Sequence, residues 1–139
     1  MQAKKFDPKN WVIRIERGEK IIETLKIFCQ KQEISGGFFF GLGAVDQVEL
    51  AHYDVGKKKY SSLKFKQPLE MTNITGSIGQ EKELIIHAHA TFSDTKMRTL
   101  AGHLIEASIS GTAEIYFIAL PILPKKYDPE TGLKLFDLS

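Results

Sequence analysis

The segment GEKIIETLKIFCQKQEI, residues 18–34, decides the fold class, because it is the one long stretch of the sequence with helical periodicity. Its apolar residues recur at spacings of one, three or four, and its charged residues occupy the opposite side. These apolar positions are Ile21, Ile22, Leu25, Phe28 and Cys29. The pattern predicts an amphipathic helix of about four turns. We expect it to end near Gly36 and Gly37.

The segments on both sides of this helix have the alternation and composition of β-strands. Trp11, Ile13 and Ile15 share one face, which predicts a first strand. Pro68 is expected to break the strand pattern between residues 60–66 and 69–78. Further strands are predicted at 38–54, 83–94, 102–109 and 112–120. Short polar turns favour antiparallel pairing, so the predicted class is α+β, with a mainly antiparallel β-sheet packed against one principal helix.

The length of 139 residues fits one domain with a core of its own. We expect residues 1–120 to form this single domain. Residues 121–139 hold three of the five prolines and lack clear periodicity, which predicts an extended tail. Because the tail carries Leu133, Leu135, Phe136 and Leu138, it is expected to pack on the domain or on a neighbouring subunit.

Charge and cysteine content exclude some classes of protein. The formal net charge of +2 is too small for the broad basic field of a protein that wraps nucleic acid. The lysines at 57–59 and at Lys125 and Lys126 are interpreted as solvated turn residues. The single Cys29 excludes a disulfide framework and favours a reducing compartment. The N-terminus lacks an apolar leader and no stretch is long enough to span a membrane, so we expect a cytoplasmic, unprocessed protein.

Three of the four histidines fall within a short span, at His87, His89 and His103. Residues i and i+2 of a strand lie on one face about 6.5–7 Å apart, so the first two imidazoles can reach one point. With a third imidazole, they would supply three of about four tetrahedral zinc ligands. Nickel, copper and iron also accept imidazole. The alternative is a pair of polar residues on a solvated face, although the apolar flanks indicate a partly enclosed strand.

Two other motifs have structural explanations. GGFFFGLG, residues 36–43, resembles a phosphate-binding loop only in its glycines, because no Lys-Ser/Thr pair or helix follows. Its glycines are better explained by bulges or close backbone approaches. Ser93 and Asp94 are interpreted as a turn or cap after the histidine strand. No Gly-x-Ser-x-Gly nucleophile motif is present.

Several motifs together resemble a known family. GLGAVDQVELAHYD at 41–54, HAHATFSD at 87–94, AGHL at 101–104 and GTAEI at 111–115 are similar, in order and spacing, to prokaryotic members of the plants-and-prokaryotes-conserved (PPC) domain family. The resemblance covers residues 10–120. It implies an α+β domain, a homotrimer, and a divalent metal held by His87, His89 and His103. In plant members the domain follows an AT-hook that enters the DNA minor groove, and this sequence has no such segment.

Three functions therefore remain open. The first is a trimeric, metal-binding interaction or regulatory module, with zinc as the first candidate metal and with a protein or a small molecule as partner. The second is a small zinc-dependent hydrolase or lyase, in which Glu70 or Glu114, or less plausibly Asp94, would move protons. The third is DNA binding through the lysines at 57–59. Enzymatic activity is left undecided, and His52 is interpreted as a strand residue with a local hydrogen bond.

Overall fold

The computed structural model describes residues 1–139 and contains one helix and eight strands. In chain order these are β1 (Gln2–Lys5), β2 (Asn10–Glu16), α1 (Ile21–Lys31), β3 (Gly36–Asp54), β4 (Lys59–Gln80), β5 (Leu84–Ser93), β6 (Thr99–Leu120), β7 (Lys125–Asp128) and β8 (Leu133–Phe136). All strand pairs are antiparallel. This confirms the predicted class, a mainly antiparallel sheet with a single short helix.

The main sheet has the order β1-β2-β6-β3-β4-β5, and β5 also pairs with the beginning of β6. At that end β6 has β3 on one side and β5 on the other, so β3, β4, β5 and β6 close into a ring. His103 lies at the closure, opposite Ala51 of β3 and opposite His89 of β5. The closure therefore brings together histidines from two strands that are separated by a turn.

The hydrophobic core lies between α1 and one face of the sheet. Phe28 of the helix packs edge-on against Trp11 and Phe117, with ring centroids 5.2 and 5.4 Å apart. Trp11, Ile13 and Ile15 are buried as the alternation in β2 predicts. Burial of these apolar side chains removes them from water, and such burial is the main favourable contribution to folding.

The helix is shorter than predicted. It ends at Lys31, about three turns from its start, and Gly36 and Gly37 already belong to β3. Glu33 adopts a positive φ of 55° just beyond the helix, and this residue turns the chain toward β3. With 11 residues, the only helix is far below the length and apolarity needed to cross a membrane.

Pro68 does not interrupt a strand, because β4 continues from Lys59 to Gln80. The register shifts between Val45 and Gln47 of β3, so that two residues of β4, Gln67 and Pro68, face a single residue of β3. A proline lacks the N–H that a strand ladder requires, and a bulge is a position where this loss is tolerated. In the same way, β6 runs without a break through the predicted gap at residues 110–111.

The glycines of residues 36–43 mark bulges and close approaches, as predicted. The register of β3 shifts between Gly41 and Gly43, and a Cβ atom at Gly41 would meet the carbonyl oxygen of Glu114 on β6. Lys57 lies in the β3–β4 turn, where its N–H donates to the Asp54 carboxylate at 3.0 Å. The lysines at 57–59 are therefore hairpin residues, again as predicted.

The C-terminal residues form a β7–β8 hairpin where the sequence predicted an extended tail. The hairpin packs on the sheet face that α1 leaves free. Gln80 donates to the carbonyl of Leu123 at 2.9 Å, and the Tyr53 hydroxyl donates to the carbonyl of Thr131 at 2.8 Å. Phe136 packs against Phe38, with ring centroids 6.2 Å apart. These contacts hold the hairpin over the sheet near the histidine strand.

Candidate metal centre

The strand period places His87 and His89 on one face of β5. Ala88, Ala90 and Phe92 between and beyond them are buried in the core. The two histidines are therefore on the opposite face, and both are exposed residues, not partly enclosed ones as the flanking apolar residues suggested. The flanks are apolar because they contribute the inner face of the same strand.

The three histidines predicted to act together are brought together by the fold. The Nε2 atoms of His87 and His89 lie 3.2 Å apart. The ring of His103 has its centroid 5.1 Å from that of His87 and 5.5 Å from that of His89. One nitrogen from each ring can be chosen so that all three lie within 4.8 Å of one another. Three nitrogen donors thus converge on one point.

The imidazoles of His87 and His103 are held in the neutral form that binds a metal. Burial, together with the smaller effects of the neighbouring His103, His89 and Lys125, lowers the pKa of His87 to about 4. Burial and the proximity of His89 also lower the pKa of His103. Although His87 is an exposed residue, its ring lies against other imidazoles and is partly desolvated. At pH 7 both rings therefore carry a free lone pair.

The donor set fits a divalent metal. The Nδ1 atom of His103 is buried and has no hydrogen-bond partner, which is costly for a polar atom unless something else satisfies it. Ligation through this nitrogen would satisfy it. In addition, two nitrogens bound to one tetrahedral zinc at about 2.0–2.1 Å would lie roughly 3.4 Å apart, close to the observed spacing of His87 and His89.

The carboxylates predicted as proton-transfer groups lie elsewhere. Glu70 pairs with Ser93 at the far end of β5, four residues from His89 and six from His87, which corresponds to up to about 13 and 20 Å at 3.3 Å per residue. Glu114 is eleven residues from His103 along β6, which corresponds to up to about 36 Å, and pairs with Arg14 and Leu42. The antiparallel register separates both groups from the histidines, so neither can exchange a proton there.

The remaining candidates have structural environments. Asp94 accepts hydrogen bonds from the N–H groups of Lys96 and Arg98 at 2.8 and 3.0 Å and pairs with the Arg98 guanidinium at 2.7 Å. It thus caps the turn between β5 and β6, as predicted for a turn residue. His52 is exposed on β3 opposite Ser61, forms no hydrogen bond through its ring, and is not part of the three-histidine cluster.

One residue near the cluster was misjudged from the sequence. The sequence predicted a solvated side chain at Lys125, but this residue is only 8% exposed. Burial lowers the pKa of its ammonium. Its neighbour Lys126 is exposed, as predicted. No local pattern separates these two lysines, because the burial of Lys125 depends on where the hairpin packs.

Comparison with solved structures finds the same fold in proteins of several prokaryotes. A Bacteroides thetaiotaomicron protein described as a "putative DNA binding protein" has a TM-score of 0.93 and 27% identity, over 98% of this chain and 96% of that one. A metal-containing protein of Archaeoglobus fulgidus has a TM-score of 0.86 and 23% identity, over 98% and 99% of the chains. A plant- and prokaryote-conserved (PPC) protein of Pyrococcus horikoshii has a TM-score of 0.84 and 22% identity, over 98% and 93%.

Comparison with functionally curated proteins finds no match. The model of the Plants and Prokaryotes Conserved domain, abbreviated PCC or PPC, matches residues 3–121. That match covers most of the chain and includes all the motifs that carry the resemblance. This chain therefore belongs to the Plants and Prokaryotes Conserved domain family.

Proposed function

We propose that this protein is a metal-binding module of the family, in which His87, His89 and His103 hold one divalent metal ion per chain. The observation that carries the proposal is the convergence of three imidazole nitrogens within 4.8 Å, with no carboxylate among them. Zinc is the first candidate because three neutral nitrogen donors suit it, although copper, nickel and iron accept the same donors. The fold is compatible with a metal, since the Archaeoglobus fulgidus protein that shares it contains one.

The role we propose for the site is structural or regulatory. A bound metal would tie β5 to the beginning of β6 at the point where the sheet closes. A hydrolase or lyase would use the ion to activate a water molecule, and it would need a nearby group to accept the proton. Glu70 and Glu114 are too distant for that task, which favours a module over an enzyme.

The decisive experiment is metal analysis of protein purified without an affinity tag or chelator. We expect one equivalent of metal per chain in the wild type and less than a tenth of that in the His87→Ala/His89→Ala double variant and in His103→Ala. His52→Ala is the matched control, because it removes an exposed strand imidazole outside the cluster, and it should retain the full equivalent. Equal metal content in all four proteins would contradict the proposed site.

We also propose that the chain forms a homotrimer through the sheet face that carries exposed apolar residues. Val12, Tyr116 and Phe40 are cross-strand neighbours on that face and are 38%, 36% and 52% exposed, and Leu42 beside them is 55% exposed. A contiguous apolar patch of this kind is typical of an interaction surface. Light scattering should give three times the chain mass of 15.7 kDa. Phe40→Glu should give a smaller species, and a monomeric wild type would end this proposal.

The domain boundaries and the compartment belong to the same proposal. Residues 1–120 would form the domain, and residues 121–139 would be an extension that packs on it. The single, buried Cys29 is compatible with a reducing compartment such as the cytoplasm.

DNA binding is the second candidate, and its support is the description of the Bacteroides thetaiotaomicron protein. In this chain the basic residues of the β3–β4 turn would contact phosphates, three sets of them in a trimer. Such contacts make affinity fall steeply with salt. Anisotropy of a labelled duplex at about 50 and 200 mM salt tests this. Affinity that changes with salt and weakens in a triple Lys→Gln variant of residues 57–59 would support DNA binding, and no binding at low salt would exclude it.

A further inference from the structure

The β7–β8 hairpin and the sheet form a half-open cavity beside the histidine cluster. Its volume is about 440 Å³, within the range of small-molecule sites. The hairpin side contributes Leu133, Leu135 and Phe136, and the sheet side contributes Ile86, Ser77 and Tyr60. The hairpin is held at its tip by the Tyr53 hydroxyl and at its base by Gln80, so the cavity is formed before any ligand arrives.

Lys125 is a buried cation in the wall of this cavity. No carboxylate lies within 4 Å of its ammonium, in contrast to Lys134 of the same hairpin, which pairs with Glu81 at 2.6 Å. The Lys125 Nζ atom has a hydrogen bond of 3.4 Å to the carbonyl of Lys134 and lies 4.3 Å from the centre of the Phe136 ring. These contacts leave the positive charge of Lys125 without an anionic partner.

The stem of Lys125 is fixed in position. It lies against Gly79, where a Cβ atom would come within 2.8 Å of the Lys125 Cε. An ammonium that is held inside a protein is stabilised chiefly by a countercharge, and it is costly without one. The chain itself offers none, because no aspartate or glutamate lines the cavity. The missing partner is therefore an anion from outside the chain.

The remaining walls indicate which anion fits. Leucine, isoleucine and phenylalanine side chains cover much of the cavity, and the Ser77 hydroxyl, which has no hydrogen bond to another protein group, is available as a donor. The other lysine that lines the cavity, Lys134, is already paired with Glu81, so Lys125 contributes the one uncompensated positive charge. One such ammonium balances a monovalent anion, whereas a phosphate dianion needs several charged donors. We propose that the cavity binds a small organic carboxylate whose negative end pairs with Lys125 and whose apolar body packs against Leu133, Leu135 and Phe136.

This site shares a wall with the proposed metal centre, since His87 and His103 also line the cavity. The pairing with Lys125 does not require a metal. If the proposed function holds, a bound cation adds positive charge to the same wall, and each ligand then increases the affinity for the other by the same factor. The carboxylate would in that case be the effector of the metal-binding module.

The test uses three probes on the full-length wild-type protein: benzoate, the neutral isostere benzamide, and acetate, which lacks the apolar body. Dissociation constants are measured by calorimetry on metal-free and on zinc-loaded protein. We expect benzoate to bind at least about tenfold more tightly than benzamide, the discrimination typical of a charged hydrogen bond. We also expect acetate to bind more weakly than benzoate, because it does not fill the apolar part of the cavity.

The variant Lys125→Met keeps the length of the stem and removes the charge, so it should abolish the preference of benzoate over benzamide. Lys126→Met is the matched control, because its side chain is exposed on the same strand, and it should keep the preference within about twofold of wild type. The comparison of benzoate with benzamide on wild type needs no variant and thus does not depend on how a variant folds.

Equal affinity of wild type for benzoate and benzamide, or no binding of either, would overturn the carboxylate site. So would a preference that persists in Lys125→Met. Metal binding is measured separately on the same preparations, so the two proposals fail independently. Protein that takes up no zinc but still prefers benzoate through Lys125 would refute the metal site alone, and protein that binds zinc but shows no preference would refute the carboxylate site alone.

Discussion

The N-terminus of α1 is capped by a residue more than 80 positions later in the chain, and this contact gives a sharp prediction. Lys20 occupies the N-cap position and makes no capping hydrogen bond through its side chain. Glu106 of β6 replaces it: its carboxylate accepts the N–H groups of Ile22 at 2.9 Å and Glu23 at 3.1 Å. It also accepts the N–H of Ala107 at 2.9 Å.

The change Glu106→Ala removes a charged acceptor from the first turn of the helix. Loss of an N-cap acceptor costs about 0.5–2 kcal/mol, and hydrogen bonds to charged groups lie at the upper end of this range. Because Glu106 also stabilises the positive end of the helix dipole, we expect the free energy of unfolding to fall by about 2 kcal/mol. For a chain of 139 residues this corresponds to a decrease in Tm of about 7 °C.

Urea unfolding followed by circular dichroism measures this difference. Glu106→Gln keeps an acceptor oxygen but no charge, so its loss should be about half that of Glu106→Ala. Glu114→Ala is the matched control: Glu114 is exposed on the same strand and makes no hydrogen bond or ion pair, and its removal should change stability by less than about 0.5 kcal/mol. If Glu106→Ala is no less stable than Glu114→Ala, the capping explanation is wrong.

Three further predictions follow from the core, the backbone and the histidines. Phe117→Ala should lower the free energy of unfolding by about 3–5 kcal/mol in urea, because its ring is fully buried against α1. Gly41→Ala should lower the free energy of unfolding by about 1–3 kcal/mol, because the added Cβ would meet the Glu114 carbonyl. Gly111→Ala is the control and should be tolerated, because the nearest atom to its added Cβ is 3.6 Å away. Equal effects of the two changes would refute the close approach at Gly41. In metal-free protein, stability should decrease as the pH falls from 6.5 to about 4, since the unfolded chain binds a proton at His87 that the folded ring, with its pKa of about 4, does not. His87→Ala should weaken that dependence in unfolding curves recorded across the range, and an unchanged dependence would exclude His87 as its source.

Local sequence patterns predicted the structure correctly where one face of a helix or strand lies entirely against the core or entirely in solvent. The inner face of α1 was identified through Leu25, Phe28 and Cys29, because helical spacing alone places these residues together. Strand β2 was identified from Trp11 and its alternating neighbours, although β1 before it was not predicted. The spacing of His87 and His89 predicted that they share a face, since side chains alternate along any strand.

Predictions failed where a distant segment supplies the environment. Pro68 is tolerated inside β4 because the partner strand leaves room for a bulge. Lys125 is buried because the hairpin folds back over Gly79. Glu70 was a candidate because it begins a strand segment that could neighbour His87, and Glu114 because it precedes the final strand segment. The register instead pairs Glu70 with Ser93, and Glu114 with Arg14 and Leu42, away from the histidines.

The class, the family, the inner face of the helix and the shared face of His87 and His89 follow from the sequence alone, because each depends on residues within a few positions of one another or on motifs in a set order. The family resemblance added His103 to this pair, but the way in which His103 reaches it, the absence of a carboxylate from the cluster and the position of Lys125 in a cavity beside it are visible only in the tertiary structure. These features depend on the closure of β5 onto β6 and on the packing of the C-terminal hairpin. Contacts between segments far apart in the chain leave no periodic signature in either segment, so three-dimensional packing alone determines them.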